Sequence, residues 1–109
     1  MTRFNEMFLN AIDMVNLSIT SFVNEDSTLA REVFEKDLLM NKIYNESSIA
    51  ISKFSERSDM KVESLLYLFS IINKLERIGD LAKSIAAETI YYLEAKVLRH
   101  QKADKDSLQ

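Results

Sequence analysis

The sequence has no cysteine and no proline, and it has a single glycine. Without cysteine, neither a disulfide framework nor a thiolate metal site is possible. An all-β domain of this length would need many tight turns, and such turns draw heavily on glycine and proline. Their near absence therefore indicates few connections and long helices.

The sequence also lacks a basic excess and a long apolar run. Its net charge is −3, so it has no basic face of the kind that nucleic acid binding requires. The longest apolar run, 65–72, is interrupted by Ser70 and is far shorter than the roughly 20 residues of a membrane span. The N-terminus has no apolar core of a signal peptide. We therefore expect a cytoplasmic protein.

Apolar residues recur at helical spacing in three stretches that short polar breaks separate. The stretches predict helices over about 3–23, 28–54 and 60–99. Short connections force neighbouring helices to be antiparallel. The sequence therefore predicts an all-α, antiparallel up-down-up three-helix bundle with a long third helix.

The breaks contain candidate helix caps. Asp26 or Ser27 can cap the second helix, and Ser58 or Asp59 the third, because their side-chain oxygens accept from free backbone N–H groups. A single domain over 1–100 and a polar, disordered tail over 101–109 are expected. The apolar stripe predicted for the first helix is Phe4, Phe8, Ala11, Val15, Ser18 and Phe22.

Two pairs of polar residues fall where the helical pattern calls for core. On the third helix, Glu76 and Asp80 are four residues apart, so their carboxylates lie one above the other. They need a nearby positive charge, which either a basic side chain or a multivalent metal ion can supply. On the second helix, Asp37 and Asn41 have the same spacing. They are either an interhelical hydrogen-bonding contact or a second pair of oxygen ligands.

Lys74, Arg77 and Lys83 are the basic side chains that could neutralise Glu76 and Asp80. Gly79 lies between the two carboxylates. A glycine in a helix interior costs about 1 kcal/mol relative to alanine, so its presence here indicates that another part of the chain packs closely at that point.

Residues 73–88 read Asn-Lys-Leu-Glu-Arg-Ile-Gly-Asp-Leu-Ala-Lys-Ser-Ile-Ala-Ala-Glu. They closely resemble the signature of the PhoU family of phosphate-uptake regulators: a leucine, then Glu-Arg-Ile-Gly-Asp, and a few residues later Ile-Ala. Residues 29–37 resemble the start of the family's second helix, and 91–100 the end of its C-terminal repeat. The chain thus resembles one three-helix repeat, most like the C-terminal one.

The resemblance implies a function. PhoU proteins contain two three-helix repeats, usually in one chain, and repress the phosphate-starvation response by acting between a phosphate ABC transporter and a sensor histidine kinase. The resemblance therefore implies a non-catalytic regulator that meets the membrane only through protein partners. The family binds iron or other cations through Glu/Asp-x-x-x-Asp motifs. The resemblance therefore implies Glu76 and Asp80 as metal ligands, together with Asp37 and Asn41. Asn41 stands where the family motif has a second aspartate, and the lost charge weakens the part of the site on the second helix.

Three alternatives remain. By resemblance, the chain could be the regulatory domain of a sodium–phosphate cotransporter. It could be a helical scaffold without metal. It could be a carboxylate–metal bundle enzyme, although the one histidine, His100, lies far from the predicted core, and such enzymes use Glu-x-x-His pairs. Sequence upstream of Met1 would distinguish the regulator from the cotransporter domain, since a second helical repeat would support the first and transmembrane spans the second.

Self-association is expected at the end of the third helix. The helix is predicted to outrun its partners, leaving apolar and aromatic residues without cover at Ile90, Tyr91, Tyr92, Leu93 and Val97. A monomer seldom leaves such a patch exposed, so a homodimer through this end is predicted.

Overall fold

The computed structural model describes residues 2–56 and 61–107, which form three helices joined by short connections. Helix α1 is Thr2–Val23, α2 is Ser27–Glu56 and α3 is Val62–Ser107. Every pair of helices packs together, and the described residues contain no strand. The predicted all-α three-helix bundle is confirmed.

The helices alternate in direction. Arg3 at the start of α1 pairs with Glu46 late in α2, and Lys96 late in α3 pairs with Glu25 just before α2. α2 therefore runs antiparallel to both α1 and α3. The bundle is long and narrow, with extents of 77 × 17 × 16 Å. Its length follows from α3, since the 46 residues of that helix span roughly 70 Å at about 1.5 Å per residue.

The turn between α1 and α2 contains one of the predicted caps. Asp26 Oδ1 accepts hydrogen bonds from the backbone N–H groups of Thr28 at 2.9 Å and Leu29 at 3.2 Å. This confirms Asp26 as the N-cap of α2. The candidate caps of the third helix, Ser58 and Asp59, lie outside the described residues.

The core forms on a slightly different side of α1 than the sequence predicted. Of the predicted stripe, Ala11 and Ser18 are buried, whereas Phe8 and Phe22 are about half exposed. Met7 and Ser21, which directly precede those phenylalanines, are fully buried, so the buried line on α1 is shifted by one residue. The residues of α1 that are buried are Met7, Asn10, Ala11, Met14, Ser18 and Ser21.

The end of α3 differs from the prediction in two ways. The helix does not end near Arg99 but continues to Ser107, so residues 101–107 are helical and not a disordered tail. In addition, the end of α1 and the turn that follows it cover part of the segment that was predicted to lack a partner. The ring of Tyr92 lies 5.7 Å from that of Phe22, and Lys96 Nζ lies 2.7 Å from Glu25. The domain bounds of 1–100 stay a prediction.

None of the three described helices is long and apolar enough to cross a membrane.

Candidate functional site

Among the residues that the structure describes, Asp37 carries the most deeply buried carboxylate. It lies on the buried stripe of α2 between Val33 and Met40 and is only 5% exposed. Its Oδ2 accepts a hydrogen bond from Lys83 Nζ of α3 at 3.0 Å. Its Oδ1 is buried without a hydrogen-bond partner in the described part of the chain. One face of a buried carboxylate is therefore free to accept a further partner, and leaving it unpartnered costs free energy.

Glu76 and Asp80 stand one turn apart on α3, as predicted, and at different depths. Asp80 is exposed and Glu76 is half-buried. Burial raises the pKa of the Glu76 carboxyl above its ordinary value, and the negative charges of Asp80 and Asp37 raise it further, while Lys83 lowers it. Since each group influences Glu76, the four side chains form one electrostatic unit. We call Asp37, Glu76, Asp80 and Lys83 the carboxylate cluster.

Lys83 supplies the positive charge of this cluster. Its Nζ lies 3.0 Å from Asp37 and 3.8 Å from Asp80. The hydrogen bond to Asp37 is the main reason that its pKa is raised; the charges of Asp37, Asp80 and Glu76 add to this, and burial opposes it. Lys74, another of the three basic candidates, instead donates to Ser70 at 3.3 Å. The sequence did not predict the bond between Lys83 and Asp37, because it depends on how α2 and α3 are aligned.

Asn41 is more exposed than Asp37. It lies exposed on α2, one turn beyond Asp37. Within residues 2–56 and 61–107, no group of three or more His, Cys, Asp or Glu side chains is close enough to hold a metal ion. The three carboxylates nevertheless have the oxygen chemistry that hard cations prefer, and Asp37 Oδ1 is an unpartnered ligand atom. Metal binding at Glu76, Asp80, Asp37 and Asn41 stays a prediction.

Gly79 lies on the buried side of α3 between the two carboxylates. A Cβ at this position would lie 3.4 Å from Met14 Sδ and 3.4 Å from Met40 Cγ. These are flexible side chains of the other two helices, and both are fully buried. Close packing at Gly79 therefore involves methionine side chains.

Comparison with known proteins agrees with the resemblance carried by residues 73–88. The family model described as "PhoU domain" matches residues 4–89. A "Phosphate-specific transport system accessory protein PhoU homolog" of Aquifex aeolicus is 29% identical over 82% of this chain and 40% of its own length. A "PhoU homolog 1" of the same description from Thermotoga maritima is 29% identical over 85% of this chain and 41% of its own length.

A Burkholderia protein of that description is 24% identical over 83% of this chain and 38% of its own length. The chain therefore spans about two fifths of the length of the curated relatives it matches. No solved structure matches the chain with statistical support.

Proposed function

Since this chain belongs to the PhoU family, we propose that it is a non-catalytic, cytoplasmic regulator of phosphate uptake and of the response to phosphate starvation. The observation that carries the proposal is the family match over residues 4–89, which includes the whole carboxylate cluster. Its relatives are named as accessory proteins of phosphate-specific transport systems. An accessory protein acts by binding, so we propose that the chain binds a phosphate ABC transporter and its sensor histidine kinase.

The genetic test uses the complete gene that encodes this chain, in its own host. Deleting the gene should switch on a phosphate-starvation reporter in phosphate-rich medium, and restoring the gene should switch it off. A reporter that responds to phosphate in the deletion strain as it does in the wild type would contradict the proposed regulation. A tagged copy of the same gene product should retain the transporter's ATPase subunit and the kinase on an affinity column.

We further propose that Asp37, Glu76 and Asp80, which as they stand are not close enough together to hold a metal ion, move together to bind a multivalent cation, iron or another divalent metal, whose identity is open. Asp37 and Asp80 both pair with the ammonium group of Lys83, and Glu76 is influenced by the same charge, so the three carboxylates exceed the one positive charge of the cluster. A hard cation would neutralise this excess and give Asp37 Oδ1 a partner. Lys83 already occupies one side of the site, and the cation would have to compete with it.

Metal content measured by mass spectrometry, after equilibration with Mn²⁺ or Fe²⁺ and gel filtration, tests this site. Glu76→Gln combined with Asp80→Asn should abolish binding, and Lys83→Met should strengthen it at least tenfold by removing the competing charge. Glu88→Gln, an exposed carboxylate of α3 outside the cluster, is the control and should bind as the wild type does. If Lys83→Met binds no metal, the site is absent.

A further inference from the structure

The face formed jointly by α1 and α3 is apolar and uncovered. Eight large side chains line it, each between 40% and 53% exposed. We call this surface the α1–α3 face. Its residues are Phe8, Ile12, Ile19 and Phe22 of α1 and Ile71, Ile78, Ile85 and Tyr92 of α3.

These side chains form one surface and not two separate stripes. At one end, the rings of Phe22 and Tyr92 are in contact at 5.7 Å. Farther along, Phe8 and Ile12 of α1 line the same shallow groove as Ile78 of α3. The surface therefore runs along most of the length of α1.

The spacing on both helices is that of a helix–helix seam. On α3, Ile71, Ile78, Ile85 and Tyr92 recur every seven residues. On α1, Ile12 and Ile19 are also seven apart, and so are Phe8, Val15 and Phe22. Apolar residues that recur at this period pack best against other helices that lie almost parallel to them, with crossing angles of roughly 20°.

The α1 side of this surface carries no charge. At 100° per residue, the outward sector of α1 around Ile19 contains only uncharged residues, among them Asn5, Leu9, Asn16 and Val23. On α3, Lys74 lies at the margin, where it donates to Ser70. Two identical faces can therefore meet without placing like charges opposite each other along α1.

The exposed area of this face is what a stable dimer needs. Eight large side chains that are about half exposed present on the order of 700 Å², which exceeds the roughly 300–600 Å² of the largest apolar patch on a typical monomer. Two copies would bury roughly twice this area, within the standard range of about 1,200–2,000 Å² for specific interfaces.

We propose that this chain forms a two-fold homodimer through the α1–α3 face. In a two-fold contact the same patch of each copy packs against that of the other. Helices α1 and α3 of one copy therefore pack on α1 and α3 of the second copy, and the four helices form a bundle. The two copies of α2 lie on the outside. The interface is thus along the side of the bundle, whereas the sequence suggested the end of α3.

Mass measurement by light scattering after size exclusion tests the dimer. The wild-type chain at about 50 μM should have twice the monomer mass of 12.6 kDa. Ile78→Glu on α3 and, separately, Ile19→Glu on α1 should each raise the dissociation constant at least 100-fold, because each buries two uncompensated carboxylates. Leu38→Glu on α2, where the leucine is 70% exposed, is the matched control and should leave the dimer intact.

Circular dichroism separates dissociation from unfolding. Each glutamate variant should keep its helical signal as a monomer. If either variant unfolds, Ile78→Ala replaces it and should raise the dissociation constant about tenfold. A wild-type chain that is monomeric at about 50 μM would overturn the proposal and would mean that a different partner covers this face. Dimers that persist in both the Ile78 and the Ile19 variants would overturn it as well.

Discussion

At the scale of single residues, the carboxylate cluster shows how position on a helix decides the chemistry of a side chain. Asp37 and Asp80 are the same residue type, but Asp37 is buried on the α2 stripe and Asp80 is exposed. Glu76 lies between these extremes, beside both negative charges. A single lysine, Lys83, partly neutralises all three, so the cluster is sensitive to the removal of any one charge.

Glu76→Gln should raise the melting temperature at neutral pH. Burial and the charges of Asp80 and Asp37 raise the pKa of Glu76 in the folded chain above its ordinary value of 4.5. Its stability contribution is therefore fully present below pH 4.5 and is lost as the pH rises through the raised pKa. The glutamine cannot ionise, so its advantage should be present at pH 7 and should shrink to nothing below pH 4.5.

Thermal unfolding of the two proteins over this pH range measures the effect. Glu88→Gln, which changes an exposed carboxylate of the same helix, is the control and should show no such pH-dependent advantage. A constant difference between Glu76→Gln and the wild type at every pH would contradict the assigned cause.

Gly79→Ala should stabilise the protein. The added Cβ would meet the side chains of Met14 and Met40 at ordinary contact distance, and both can adjust. Alanine favours the helix over glycine by about 1 kcal/mol, so we expect the free energy of unfolding to rise by up to about that amount. Urea denaturation measures it. Gly79→Leu, which cannot fit between the methionines, should lower the free energy of unfolding instead, and a loss of stability on Gly79→Ala would show that the contact is tighter than it looks.

At the scale of helices, the sequence predicts the regular elements well and their ends less well. Helical periodicity without proline placed all three helices. The cap of α2 was narrowed to Asp26 or Ser27, of which Asp26 is the cap, because capping is a local property of a few residues. The end of α3 was misplaced, because the polarity of 101–107 was taken as disorder. That segment contains lysine, glutamine and alanine but no helix breaker, so a helix can continue through it.

The end of α1 is a strained version of a common helix stop. Glu25 has a φ of 52°, a left-handed conformation that usually belongs to glycine at this position. The N–H of Glu25 donates to the carbonyl of Phe22 at 3.2 Å, and that of Asp26 to Ser21 at 2.8 Å, which is the Schellman arrangement. Glu25 adopts this unfavourable backbone conformation, and its carboxylate pairs with Lys96 of α3.

Glu25→Gly should be more stable than Glu25→Gln. Both variants lose the pair with Lys96, so their difference isolates the backbone. Glycine relieves the left-handed conformation, which costs other residues roughly 1 kcal/mol, and we expect a difference of about that size in the free energy of unfolding from urea titration. Equal stabilities would mean that the turn relaxes around glutamine.

At the scale of the whole molecule, the relative alignment of the helices determines which side chains of different helices meet, and helical periodicity does not predict this. The sequence identified Glu76, Asp80 and Asp37 as candidate site residues, but it could not place Lys83 on Asp37, which depends on the register of α2 against α3. The predicted exposure of Tyr91, Tyr92 and Val97 is confirmed, but the sequence could not show that Glu25, in the turn after α1, pairs with Lys96 of α3.

The shape of the dimer distinguishes a contact along the side of the bundle from a contact at its end. The chain is a rod of 77 × 17 × 16 Å with a radius of gyration of 19.7 Å. Pairing through the α1–α3 face doubles one of the short dimensions and leaves the length nearly unchanged. Pairing through the end of α3 would almost double the length. Small-angle X-ray scattering should therefore give a maximum dimension close to that of one chain and a radius of gyration only slightly larger. A maximum dimension well above 100 Å, roughly the length of two overlapping rods, would instead place the contact at the end of α3.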